Sequence, residues 1–461
     1  PLSAFLKIEE GDFAYLLESV EGAKHMARYS FLGSNPSLVI ESKGDTVTFT
    51  RGDDVDSHKA EADPIEEIRA FMKKFNFVDV KGLPRFCGGL VGYMGYDMVR
   101  FFEDIPDDNE RDIDMPDMQF ILTDTILIFD HVDHKLKVVS NSLVEEDDPA
   151  ETYDKACKKI DRIVEKLKST ETKAVRADVK RTPAEIESNF KNEDFCRIVE
   201  DAKEYIRAGD IIQVVLSQRL KKKTDADPFT IYRALRSINP SPYMYYLKFG
   251  KHRLVGSSPE ILVRCEDDIV EVRPIAGTRK RGSDEDEDAR LERELLADPK
   301  ERAEHIMLVD LGRNDIGRVC EYSSVQAKEV MHIERYSHVM HIVSDVTGKL
   351  KEDSDVFDLI RATFPAGTVS GAPKVRAMEI IDQMENVRRG TYAGSVGYIS
   401  FSGNIDLCIT IRTILMEDGT AYIQAGAGIV LDSDPEKEYE ETLNKAMGMM
   451  KAIAFAEEGL E

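Results

Sequence analysis

The sequence predicts an α+β protein organised in two large parts, and three observations lead there. At 461 residues the chain is too long for one simple core. Its first 140 residues read mainly as strands joined by turns, whereas helical and strand patterns alternate from about residue 188 onward. Between them, "STETKAVRADVKRTPAEIE" (169–187) has no apolar periodicity and reads as a linker. The expected division is an N-terminal domain over 1–168, a linker over 169–187 and a second domain over 188–461.

The elements follow in order. "SLVIESKGDTVTF" and "LTDTILIFDHVDHKLKVVS" read as strands, and Asp133-His134 between two apolar runs predicts a hairpin turn. Residues 150–168 read as a polar helix. "NEDFCRIVEDAKEYIRAG" reads as a helix ended by Gly209, which suits the left-handed position after a helix. "DIIQVVLSQRL" follows as a strand. The acidic run "GSDEDEDARLERE" (282–294) reads as a solvated loop leading into a helix, with a cation site as the lesser alternative.

Composition narrows the function. Apolar residues make up 42% and charged residues 32%, as expected of a soluble globular protein. No run of about 18 apolar residues predicts a membrane span. The first residues lack the basic start and A-x-A site of a signal peptide, so a cytoplasmic protein is expected. A net charge of −25 disfavours nonspecific nucleic-acid binding and requires a local basic pocket for any anionic ligand. The six cysteines are scattered, with no C-x-x-C pair, which predicts isolated buried thiols.

Two segments share one design. "ADPKERAEHIMLVD" (297–310) and "SDPEKEYEETLNKAM" (433–447) each begin Asp-Pro, the expected cap and first helical residue. Each then places two glutamates three apart, Glu301 with Glu304 and Glu438 with Glu441, on one helical face. Two such helix starts face to face would form an oxygen-rich site suited to Mg²⁺. Solvated glutamates near positive helix ends are the plainer alternative.

Four glycine-rich stretches (87–96, 365–374, 392–403 and 424–430) allow close backbone approach to a ligand. None is a phosphate loop or a dinucleotide fingerprint. Arg412 lies in "LCITIRTILM", which reads as an apolar strand, and an Arg there must be paired or must bind something. Lys445 lies one turn after Glu441. A small dianion held between Arg412 and Lys445, bridged by Mg²⁺ to Glu304 and Glu441, would reconcile an acidic chain with an anionic substrate. His332, His338 and His341 read as packed histidines, with a zinc ligand or a proton carrier as alternatives.

Taken together, "SSPEILV", "PIAGTR", "ERAEHIMLVDLGRND", "GTVSGAPKVRAMEII", "YAGSVGY" and "AGAGIVLDSDPEKEYEETLNKA" resemble the chorismate-binding enzymes, in that family's order over roughly 190–455. "LLES" (16–19), "RYSFLG" (28–33), "GGLVGYMGYDMVR" (88–100) and "NPSPYMYYL" (239–247) resemble the family's anthranilate-forming large subunits. The resemblance implies two large β-sheets packed as a sandwich, helices outside, and a deep cleft binding chorismate and Mg²⁺. It makes Glu304 and Glu441 metal ligands, and it adds Glu438 to the metal set and Glu301 to the catalytic set as supports. Gly277, Thr278, Tyr392, Arg412, Gly426, Ala427, Gly428 and Lys445 become substrate contacts. Glu260 becomes the acid that protonates the departing hydroxyl, and His341 accompanies pyruvate loss with Thr368 nearby.

Two positions address the nucleophile. Aminodeoxychorismate synthases of this family commonly carry a nucleophilic Lys where this chain has Ala276. Isochorismate and salicylate synthases place a water-activating Lys where it has Gln213. Neither residue present can do that work, so the resemblance implies direct addition of ammonia. An enzyme stopping at aminodeoxyisochorismate, or a catalytically silent metabolite-binding subunit, stays open at this point. No glutaminase nucleophile elbow is present, so ammonia from glutamine implies a separate amidotransferase subunit in a heterodimer or heterotetramer. The glycine-rich 88–100 segment is the candidate contact for it. Ser19, Pro242, Tyr243 and Met244 match the family's pocket for tryptophan as inhibitor.

Overall fold

The computed structural model describes residues 1–20, 28–144, 148–169, 185–336 and 339–459. Most of the 169–187 stretch, together with His338, lies outside the described residues.

Local signals determine the element ends. Asp133-His134 turns the chain between strands Thr125–Asp130 and Lys135–Ser140. Helix Asn192–Ala208 stops at Gly209, whose φ of 84° costs a residue without Cβ little. The acidic run becomes helix Glu285–Ala297, capped by Asp284. Within it Asp288 accepts from the Arg281 guanidinium at 2.9 Å.

The strands assemble into two antiparallel sheets, one of eleven and one of twelve strands. The first begins at its edge with Glu187–Ser188, Gln213–Lys223 and Thr420–Ile429. It continues through Thr413–Glu417, His252–Ser258, Tyr243–Phe249, Phe13–Glu18 and Tyr29–Ser34 to the Thr125–Ser140 hairpin. The second begins with Ile275–Lys280 and Val339–Lys349. It runs through Ile261–Glu266, Ile405–Ile409, Ser395–Ser400, Gly89–Met94 and Met118–Thr123 to the exposed strand Asp54–Lys59. Each sheet thus takes strands from both sides of 169–187. Phe13–Glu18 pairs with Tyr243–Phe249, and Gly89–Met94 pairs with Ser395–Ser400.

The sheets pack face to face. Alternation along Tyr243–Phe249 sends Tyr245, Leu247 and Phe249 into the shared interior, where they meet Val91, Tyr93, Val396 and Tyr398 of the other sheet. Met244 and Tyr246 point the other way, under helices Pro228–Ile238 and Pro435–Glu457. The outer face of the second sheet is covered by helices Pro64–Met72, Pro299–Gly317 and Val356–Thr363. Because both faces are covered, these strands read as continuous apolar runs. No helix among the described residues is long and apolar enough to cross a membrane.

In the 88–100 segment, expected to contact a partner, residues 88–99 are buried and Arg100 is part-exposed. Gly89–Met94 is buried along its whole length between two neighbouring strands. Its glycines serve packing: a Cβ on Gly92 would lie 2.1 Å from the Gln119 carbonyl oxygen. Backbone cannot yield as a side-chain tip can. Gly92→Ala should therefore destabilise the protein by about 1–3 kcal/mol or more, read as a lower urea midpoint. An unchanged midpoint would show that the sheet adjusts freely there.

Candidate active site

The edges of the two sheets nearest Gln213–Lys223 and Ile275–Lys280 leave a cavity of about 640 Å³ between them. Two helix starts supply one wall. Asp298 accepts from the Lys300 and Glu301 amides and opens helix Pro299–Gly317. Asp434 accepts from the Lys437 amide and opens helix Pro435–Glu457. Both glutamate pairs, Glu301 with Glu304 and Glu438 with Glu441, line the same cavity. Burial first, and then the charge of Glu301, raises the Glu304 pKa; burial also raises that of Glu438. Cations answer part of this charge. Arg279 donates to Glu301 at 2.8 Å, and Lys445 lies 2.7 Å from Glu441. The four carboxylates are hard oxygen donors of the kind Mg²⁺ takes, and they line one cavity, although no three of them bring ligand oxygens within 4.8 Å of one another.

Arg412 differs from the expectation of a strand residue. It stands in the connection between Ile405–Ile409 and Thr413–Glu417, where the chain passes from one sheet to the other, with φ of 52°. Its guanidinium lines the cavity and donates to the Lys445 carbonyl at 3.3 Å. It has no carboxylate partner among the described residues, and burial lowers its pKa. A nearly buried guanidinium without a counter-ion is a site for an anion.

Glu260 lies opposite, buried after strand His252–Ser258. Burial pushes its carboxyl up to about 8, against smaller lowering by the Thr368 hydroxyl and by Lys445. Thr368 approaches it without a well-formed hydrogen bond. At neutral pH the carboxyl therefore carries a proton it can give.

His341 faces the same cavity from strand Val339–Lys349. Its Nδ1 is 3.1 Å from the Gly277 carbonyl oxygen and 3.0 Å from the Thr278 hydroxyl. A carbonyl only accepts, so Nδ1 carries the hydrogen and Nε2 is left as an acceptor. Burial lowers its pKa, keeping the ring neutral. The Tyr336 ring packs edge-on against it at 5.6 Å, and among the described residues the candidate metal-ligand group, Glu329 with His332 and Asp345, does not include it. Gly277, with φ of 64°, presents its backbone to the cavity beside Ala276.

Tyr392, Gly426 and Gly428 line the floor. A Cβ on Gly426 would come within 2.7 Å of the Tyr392 hydroxyl, and one on Gly428 within 2.5 Å of Gln213 Nε2. Ala427, between the two glycines, points its methyl into the cluster on the strand's other face, beside Leu216. Lys300 and Gln424 also line the cavity and were not singled out from sequence. Lys300 stands four residues before Glu304, a spacing that could have marked it.

Ser19, Pro242, Tyr243 and Met244 line a second, separate cavity of about 60 Å³. The Ser19 hydroxyl is buried there without a hydrogen-bond partner. Tyr243 donates to Asp406 at 2.8 Å, and Arg264 holds both, at 3.0 Å from the Tyr243 hydroxyl and 3.1 Å from Asp406.

The family model described as chorismate binding enzyme matches residues 13–451. Anthranilate synthase component 1 of Acetivibrio thermocellus is 53% identical over 99% of this chain and 93% of its own length. That of Aquifex aeolicus is also 53% identical, over 100% of this chain and 93% of its own. The crystal structure of anthranilate synthase component I from Streptococcus pneumoniae superposes with a TM-score of 0.82 at 38% identity, covering 93% of each chain. Fold, cavity and likeness agree: the chain belongs to the chorismate-binding enzymes, among their anthranilate synthase component 1 members.

Proposed function

We propose that this chain converts chorismate and ammonia into anthranilate, pyruvate and water, with Mg²⁺ bound and tryptophan as inhibitor. The observation that carries the reading is Arg412, a half-buried cation with no carboxylate partner among the described residues, lining one cavity together with buried Glu260 and four glutamates. Arg412, the Tyr392 hydroxyl and the backbone at Gly426 and Gly428 hold the substrate's carboxylates. Glu304 and Glu441, supported by Glu438, would hold Mg²⁺, which supplies Lewis-acid polarisation when bound. Glu301 steadies that wall through Arg279.

Ammonia adds to the ring while Glu260 passes its proton to the departing hydroxyl, which leaves as water. Ala276 provides no nucleophile and Gln213 no base, so neither competes with ammonia. This disfavours the aminodeoxychorismate and isochorismate readings. Neutral His341, beside Thr278, is placed to orient or take a proton as the ring aromatises and pyruvate leaves. The 1–168 portion would carry effector and partner contacts, and 188–461 the chemistry, in a cytoplasmic complex with a glutamine amidotransferase subunit. The name component 1 carried by the relatives supports a second component.

The purified chain with chorismate, Mg²⁺ and ammonium should yield fluorescent anthranilate and equimolar pyruvate. Aminodeoxychorismate or isochorismate in their place would overturn the reading. Glu441→Ala should lower kcat/KM by about a hundredfold or more, as loss of a metal ligand does.

The raised Glu260 carboxyl sets two further expectations. Activity should fall as pH rises through about 8, because the donor loses its proton, and Glu260→Gln should lose about 10²–10⁴-fold in kcat at neutral pH. The folded state also binds this proton more tightly than the unfolded chain. Its stabilising effect is complete below the unfolded value of 4.5 and is lost as pH rises to about 8. Glu260→Gln should therefore melt no lower than the parent at alkaline pH.

Tryptophan should raise the melting temperature of the parent chain. Ser19→Leu, which fills the second cavity, should raise its inhibitory concentration about tenfold or more. Undiminished inhibition in that variant would place the effector elsewhere.

A further inference from the structure

Beneath the cavity floor lies a charged pair that touches no predicted substrate atom. Arg389 and Glu385 are 2% and 1% exposed, and their side chains meet at 2.6 Å. The guanidinium does more than neutralise the carboxylate. One terminal nitrogen donates to the Val369 carbonyl at 2.7 Å, and the other donates to the Val215 carbonyl at 2.7 Å as well as to Glu385. Nε completes the contact with Glu385 at 3.0 Å. The guanidinium also lies 5.5 Å from the Tyr392 ring centre and 4.8 Å from that of Tyr96.

Each of these partners leads into the active site. Val215, Val369 and Tyr392 line the cavity, and Val369 follows Thr368, the hydroxyl beside Glu260. Glu385 accepts from the Ser217 amide and hydroxyl, both at 2.8 Å. Ser217 in turn receives Gln424, another cavity residue, at 2.8 Å. A single planar fork thus ties three walls together: strand Gln213–Lys223, the Gly367–Val369 turn and the Tyr392 segment.

We infer that Arg389 is a positioning residue of the reaction, holding the Thr368 turn and Tyr392 in register with strand Gln213–Lys223 beneath the substrate. The inference rests on the reading of Glu260 as proton donor with Thr368 beside it. Lysine cannot substitute, because one ammonium cannot reach both carbonyls and the carboxylate in a fixed plane. Of the groups the fork holds, Thr368 acts beside the reacting ring, whereas Tyr392 shares its carboxylate contact with Arg412 and the backbone at Gly426 and Gly428, which the fork does not touch, so the loss falls on kcat more than on KM.

The test uses the full chain with chorismate, Mg²⁺ and ammonium. Arg389→Lys should lower kcat about 10- to 100-fold, as small misplacements do, with KM for chorismate within about threefold. Thr368→Val should also lower kcat. The double variant should lose no more than the worse single variant, because the two residues act as one unit. An unchanged kcat, a loss confined to KM, or multiplying losses would each overturn the inference. Should Arg389→Lys not fold, Glu385→Gln takes its place with the same expectations, and failure of both to fold would make the pair purely structural and overturn it too. Full activity in Glu260→Gln would instead sink the proton-donor reading, while the coupling between Arg389 and Thr368 would remain measurable.

Discussion

Four glutamates around one cavity repel one another, and much of the local structure works against that repulsion. The positive ends of two helices face the carboxylates, opened by Asp298 and Asp434. Arg279 bonds both Glu301 and Asp298, tying the helix start to strand Ile275–Lys280. Lys445 answers Glu441 and is itself fixed to the Gly426 carbonyl at 2.9 Å. His305, fully buried one residue after Glu304, anchors the helix to Ser344 at 2.6 Å. What this arrangement leaves uncompensated is informative. Burial leaves Glu304 with a raised proton affinity, and Arg412 has no carboxylate partner among the described residues.

The parts of the fold legible in the sequence are those decided locally. Asp-Pro starts, the Asp133-His134 turn and the Gly209 stop each depend on a few adjacent residues, and each appears where the sequence puts it. Glutamate spacing likewise placed both pairs on inward helix faces. That the pairs share one cavity depends on how two sheets meet; the matching design of the two segments raised it, and the whole-chain resemblance set it above the alternative of solvated glutamates. The buried course of Gly89–Met94 was misread for a related reason. Glycine clusters look alike whether they receive a ligand or a neighbouring strand, and here Gly92 receives Gln119 and Phe120. Arg412 read as a strand residue because its flanks are apolar; the left-handed turn between sheets has no local signature in "ITIRTIL". Gln424 escaped notice because its partner Ser217 lies far away in sequence, whereas Lys300 and Arg389 each stand four residues from a carboxylate, Glu304 and Glu385, a spacing too common on helices and turns to single them out.

The two cavities share no lining residue, yet two stretches of chain join them. Tyr243 pairs with Ser258, two residues before Glu260. Asp406 sits on the strand that ends at Ile409, three residues before Arg412. The lining of the small cavity is thus joined to Glu260 by one strand pairing and two residues of chain, and to Arg412 by a short run of backbone. The buried ion pairs of Asp406 with Arg264 and Arg85 give that region a rigid polar centre in an otherwise apolar interior.

The interleaving of early and late strands also governs the order in which the chain can be made. Phe13–Glu18 has one neighbour, Tyr29–Ser34, available at once, but its other edge waits for Tyr243–Phe249. Gly89–Met94 waits longer, for Ser395–Ser400. At about 5–20 residues per second, a growing chain would carry these apolar edges unpaired on the order of 15–60 s. Open strand edges are templates for wrong partners. These early strands therefore keep an open edge until Tyr243–Phe249 and Ser395–Ser400 emerge, and neither sheet can be completed before then.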